Sequence, residues 1–212
     1  MMLSEQYGLR SAFYFIVDHP AGTIDGVYDI DEPWIQSLLH RIHERGHEIG
    51  LHASYHSYRD RDQIEFELKR LQQICSDLGI SQAEWGGRQH FLRWESPITW
   101  QCWSDVGLNY DNTLTFHDHV GFRCGVCYEY PVFDLRQRRQ LTLRERPLIV
   151  MDVTLVSPAY MHLNFREILN KVLHLYSICK VFQGDFTFLW HNSRLISKRE
   201  KQLYKNIIKH LL

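Results

Sequence analysis

The sequence lacks a surplus of charge of either sign: 24 Lys and Arg stand against 25 Asp and Glu in 212 residues, a formal net charge of −1. Without a basic excess nothing draws the chain toward phosphate backbones or anionic lipid, so nucleic acid and membrane surface are poor partners. It also lacks any run of 18 or more apolar residues, which leaves no candidate for a bilayer-spanning helix. Internal repeats, low-complexity tracts and linkers are missing too, so a single domain over residues 1–212 is expected. The five cysteines (Cys75, Cys102, Cys124, Cys127 and Cys179) lack the even number and spacing of a disulfide framework. That points to free thiols in a reducing compartment, the cytoplasm. Oligomeric state leaves no mark in the sequence.

What is abundant is histidine, with 13 residues. Histidine is the commonest metal ligand and a general acid or base, so the count raises the odds of a site without locating it. Hydrophobic residues make up 44%, enough for a sizeable core.

Strand and helix patterns alternate along the chain. SAFYFIV (11–17) is an apolar, aromatic and β-branched run of buried-strand length. A helix follows from Pro33 to a stop at Gly46, with Ile35, Leu38, Leu39 and Ile42 on one face. HEIGLH (47–52) predicts a strand, and residues 59–78 predict a helix ended by Gly79. Further strands are expected within 84–92, 108–111, 147–155 and 185–191. Further helices are expected after a Ser96 cap, over 164–180 and over 197–212. Residues 3–8 have the character of a last helical turn stopped by Gly8, and 112–146 carry no regular pattern. Six strands alternating with helices imply an α/β fold, a parallel sheet or barrel with helices outside. Functional residues in such folds collect at the carboxyl ends of strands. Asp18, His52, Arg88 with His90, Asp111, Asp152 and His191 all fall there.

In RGHEIGLHASYHSY (45–58), His52 and His56 are spaced to present two imidazoles to one ion across a strand-to-loop turn. The plain alternative is two partly exposed histidines in a polar loop. Together with GGRQHFLR, YDNTLTFHDHVGFRCG and FLWHNS, in that order, this segment resembles the polysaccharide deacetylase family (NodB-like, carbohydrate esterase family four). More narrowly, it resembles the branch associated with surface-polysaccharide, lipopolysaccharide and O-antigen biosynthesis. The likeness runs from about Leu3 to the last helix.

The resemblance implies a deformed (β/α) barrel and metal-dependent removal of an acetyl group from an N- or O-acetylated sugar. It implies His52 and His56 as ligands of a divalent metal, Zn or else Ni or Co. It implies His191 as general acid and Arg88 as the arginine that tunes a catalytic carboxylate. Asp111 and Arg123 match positions that shape the substrate groove or brace the site, and His90 and Trp190 are read as groove residues beside them. His90 and Asp152 are also candidates for a third ligand. For His191 the alternative is a strand-end hydrogen-bonding role. For Arg123, a grip on substrate and a salt bridge to a site aspartate such as Asp111 stay level.

The family's first motif, two aspartates on a first strand that serve as base and third ligand, has no counterpart here. The expectation is therefore an amino-terminally shortened member that lacks its first strand, binds metal weakly and turns over poorly. Cys124 and Cys127 form an isolated CxxC, best read as free thiols because a structural zinc site needs a second pair. Loop aromatics such as Tyr55, Tyr58 and Phe91 suit packing or sugar stacking. Two rivals stand beside the enzyme: a carbohydrate-binding pseudoenzyme, and a metal-dependent amidohydrolase acting on a non-sugar amide.

Overall fold

A computed structural model describes residues 1–211. The protein is mixed α/β, with a mostly parallel six-stranded sheet, a two-stranded sheet and seven α-helices among the described residues. None of those helices is long and apolar enough to cross a membrane. The chain divides into two compact units: Arg10–Thr113 with Tyr130–Glu145, and Met2–Leu9 with Leu114–Glu129 and everything from Arg146 onward.

The first unit is built on β1 (Ala12–Phe15), β2 (Glu48–Ala53), β3 (Gly86–Gln89), β4 (Tyr110–Asp111), β5 (Tyr130–Asp134) and β6 (Arg139–Glu145). Their order in the sheet is β1-β2-β3-β4-β6-β5, and only the β5/β6 pair is antiparallel. Helices α2 (Pro33–Glu44), α3 (Arg61–Asp77) and α4 (Ile98–Asp105) connect the first four strands. Successive crossovers step the same way along the sheet, so right-handed connection puts all three on one face. Their apolar stripes join the strands in one core that includes Leu39, Ile49, Leu51, Leu71, Trp103 and Leu143. The expected helix boundaries at Pro33, Gly46 and Gly79 hold, and Gly46 takes the positive φ of 71° that ends α2.

Alternation along β2 turns Ile49, Leu51 and Ala53 to the core and Glu48, Gly50 and His52 to the opposite face. Register places Arg88 beside His52 on that second face. Gly50 and Gly86 leave room there for the rings of Tyr14 and Tyr110, which an added Cβ would strike. Gly87 sits so close to β2 that a Cβ would lie 1.8 Å from the Leu51 carbonyl oxygen.

The second unit holds α1 (Met2–Gln6), β7 (Val150–Met151), α5 (Asp152–Val156), α6 (Phe165–Val181), β8 (Phe188–Leu189) and α7 (Lys198–His210). β7 and β8 pair in parallel. A core of its own gathers Ile149, Val150, Leu155, Val172, Leu175 and Ile207. Asn164 and Glu167 cap α6 reciprocally, and Ser197 caps α7.

Three expectations need correction. Residues 112–146 are not irregular throughout: 130–145 contain the β5/β6 hairpin, whose buried Val132, Leu141 and Leu143 alternate with the exposed Pro131, Phe133, Gln140 and Thr142. The strand expected over 147–155 stops at Met151: only Val150 and Met151 pair with β8, and the chain turns helical from Asp152. Ser96 does not cap α4; Pro97 occupies the cap position without a side-chain bond.

Candidate functional site

In the first unit the carboxyl ends of β2 and β3 bring His52, Arg88 and His90 together. The Nδ1–H of His52 donates to the Arg88 carbonyl at 2.8 Å. The rings of His52 and His90 lie 4.9 Å apart between centres, at 64° to each other. His90 opens a 3-10 turn, His90–Leu92, in which Phe91 and Leu92 both adopt left-handed backbone, with φ of 56° and 55°. Such conformations cost about 1–3 kcal/mol each for residues with side chains and persist only where the surroundings hold them. The turn lifts His90 off the strand and leaves Phe91 67% exposed, its ring 4.7 Å from that of His90 and 5.3 Å from that of Tyr55.

Asp25, in the loop after β1, joins this cluster although nothing in TIDG marks it. It is fully buried. Oδ1 accepts from the Tyr55 N–H at 2.7 Å and meets His90 Nδ1 at 3.0 Å, while Oδ2 accepts from the Ala21 N–H at 3.0 Å. Burial alone would raise the Asp25 pKa, but the His90 ring and the two backbone N–H groups outweigh it and hold the carboxyl below its ordinary value. One carboxylate thereby ties together the loops after β1, β2 and β3.

The loop carrying His52 and His56 is braced from below. Gln89 Nε2 donates to the Ser54 carbonyl at 2.5 Å and to Ser57 Oγ at 3.0 Å. Glu67 on α3, buried and a sequence-level surprise, accepts from the Ser54 N–H at 3.1 Å and from Gln63 Nε2 at 2.9 Å. Burial pushes the Glu67 carboxyl up to about 7.

His56 is exposed and turns elsewhere. Arg93 Nη1 donates toward His56 Nδ1 at 3.3 Å and to the Tyr55 carbonyl at 2.9 Å, and its guanidinium lies 4.2 Å over each of the Tyr55 and Tyr58 rings. Arg88 is buried and donates to the carbonyl and side-chain amide oxygens of Asn112, with its guanidinium 5.1 Å from the Tyr14 ring centre. Asp111 is also buried and accepts from the Thr113 N–H and hydroxyl. Burial raises its pKa against the lowering effect of Thr113 and of the Arg88 charge.

In the second unit, Asp152 and His191 form a pair. Asp152 is 0% exposed and holds His191 twice: Oδ2 accepts the His191 N–H at 2.9 Å, and Oδ1 accepts from Nδ1 at 2.6 Å. A carboxylate only accepts, so the neutral ring carries its proton on Nδ1 and its lone pair on Nε2. The His191 side chain is 42% exposed. Trp190 packs against Phe188 and Tyr204, with ring centres 5.5 and 5.3 Å away. Arg123 donates to the Thr115 carbonyl at 2.7 Å.

The two-histidine, one-carboxylate donor set that the resemblance implies does not fit these residues. His52 suits a ligand, since its Nδ1–H is held by a carbonyl and the lone pair falls on Nε2. His56 does not: with Nδ1 accepting from Arg93, its ring proton is on Nε2. Among the described residues no group of three or more His, Cys, Asp and Glu side chains is arranged to hold a metal. No protein-family model matches the chain, and no curated protein matches it either.

Proposed function

We propose that this protein is a hydrolase of polysaccharide-deacetylase type that acts on an N- or O-acetylated sugar, with its sheet belonging to a deformed (β/α) barrel. The observation that carries the reading is the Asp152–His191 pair. A buried carboxylate sets the ring orientation and tautomer, and the half-exposed ring then moves a proton at Nε2. The lone pair accepts one from an attacking nucleophile, or the protonated ring gives one to a departing amine or alkoxide. In the first unit, Phe91 exposes a ring beside Tyr55 and His90 of the kind that stacks on pyranose faces. No step is routed through a metal, because the implied donor set does not assemble.

That same mismatch favours a second reading, a saccharide-binding protein without turnover. Acetate release from a panel of N-acetyl and O-acetyl sugars and linear amides, with Zn2+, Ni2+ or Co2+ added, separates them. Release that falls by about 10²–10⁴-fold in His191→Ala is expected for the enzyme. Saccharide binding with no release by the wild type would overturn it in favour of the binding protein.

A further inference from the structure

Arg93, in the first unit, presents half of its guanidinium to something that its surroundings do not supply. The group carries N–H donors on all three nitrogens and accepts nothing. Nη1 donates to the Tyr55 carbonyl at 2.9 Å and toward His56 Nδ1 at 3.3 Å, which uses both of its hydrogens. The Tyr55 and Tyr58 rings, each 4.2 Å from the guanidinium carbon, fix the rest of the group in place. What remains is the edge formed by Nε–H and Nη2–H, the fork that takes two anionic oxygens side by side. Among the described residues no Asp or Glu pairs with Arg93. Glu95, two residues along, lies 4.0 Å from Arg59 instead. Arg59 itself is 5.5 Å from the Tyr58 ring centre, so two positive groups flank one ring. A guanidinium already held by two rings and two hydrogen bonds loses little freedom on binding, unlike a loose surface charge.

A saccharide surface adjoins that edge. Arg93 directly follows the strained turn His90–Leu92, which leaves Phe91 67% exposed. Phe91 and Arg93 both pack on the Tyr55 ring, Phe91 with ring centres 5.3 Å apart. One shared neighbour keeps the two within a sugar residue's reach of each other.

We propose that Arg93 reads an anionic substituent of the saccharide, a uronic-acid carboxylate or a sugar phosphate, through its Nε–H and Nη2–H edge. The pyranose ring lies on Phe91 while the guanidinium holds the anion. A neutral sugar leaves the fork hydrated and gains nothing from it. The inference deepens the saccharide reading and rests on it for the sugar ring, not for the anion contact.

The test is a ligand-observed NMR titration of the full chain at low salt, with circular dichroism as the check on folding. The probes are the methyl glycosides of glucose and galactose, the matching uronic acids and 6-phosphates, and inorganic phosphate. At least one acidic sugar is expected to bind about 10-fold tighter than its neutral parent. In Arg93→Gln that ratio is expected to fall below about 2-fold, with the neutral parent bound as before. Arg93→Lys keeps the charge without the fork and should retain only part of the ratio. Phe91→Ala should weaken acidic and neutral sugars alike and leave the ratio intact. Should Arg93→Gln fail to fold, Arg93→Lys decides, and a full ratio there overturns the proposal. A stronger uronate assigns the contact to carboxylate; a stronger 6-phosphate assigns it to phosphate. Equal affinity for acidic and neutral forms overturns the proposal, as does a preference that survives Arg93→Gln. Inorganic phosphate bound as tightly as the acidic sugars also overturns it, since the sugar then contributes nothing. A preference that depends on Arg93 without any acetate release from the acetylated sugars would sink the deacetylase reading and leave this contact standing. Acetate release from neutral sugars with no acid preference would do the reverse.

Discussion

A single carboxylate decides what His191 is able to do. Asp152 accepts from both the backbone and the ring of that residue, so replacing it by asparagine offers an amide hydrogen where an acceptor stood. The ring proton then moves to Nε2 and the lone pair is lost from the exposed side. Asp152→Asn is therefore expected to lower kcat for acetate release by about 10²–10⁴-fold, with KM within about threefold of wild type. Steady-state kinetics check it: a raised KM with kcat intact would make the pair a binding feature. At this scale the sequence was partly readable. His52, Arg88, His90, Asp152 and His191 are polar residues placed at the ends of apolar runs, and that position is a physical signal. Asp25 and Arg93 gave none, because a buried carboxylate in a turn and a guanidinium between two tyrosines become special only when distant segments meet.

Elements supply the rigidity behind those contacts. Gly87 is the position where β3 comes nearest to β2, and alanine there would drive a methyl into the Leu51 carbonyl. Gly87→Ala is expected to destabilise the fold by on the order of 3 kcal/mol or more, since backbone is the obstacle and only strand movement relieves it. Urea denaturation at neutral pH measures this; a loss under about 1 kcal/mol would mean the strands part more easily than their spacing implies. Glu67 offers a pH-dependent counterpart. Its carboxyl titrates near 7 in the fold against 4.5 when unperturbed, so the native state holds the proton more tightly. Its contribution is fully present below about 4.5 and is lost as pH rises toward 7. The swing is on the order of 3 kcal/mol, at about 1.4 kcal/mol per pKa unit. Glu67→Gln, which keeps an acceptor for the Ser54 N–H, should flatten the decline in urea midpoint between pH 5 and 8 and be the more stable form at pH 8. An unchanged slope would assign the titration to another group. Helix patterns over α2, α3, α6 and α7 were legible because a stripe at 3.6-residue spacing survives in one dimension. The β5/β6 hairpin hid behind RQRRQ and flanking charge, although Leu141, Leu143 and Glu145 keep strict alternation.

For the whole molecule, charge balance is the property that composition sets most directly. At pH 7 the formal charge is −1. Retention on a polyanionic column at low salt is expected to be absent at pH 8, where the totals leave no cationic surplus. Binding at pH 8 would reveal a basic surface that the totals conceal. The two compact units were not visible in the sequence, because residues 114–129 leave one and join the other without any linker composition to announce it. The α/β class, the main helix faces, the lack of a cationic surplus and the strand-end positions of most candidate residues could be read from the residues in order, since periodicity and composition are local and additive. Which of those residues are partners emerged from the folded chain. It gave His191 to Asp152, His90 to Asp25 and His56 to Arg93, because a hydrogen bond depends on the meeting of segments up to 65 residues apart, and no local pattern encodes that meeting.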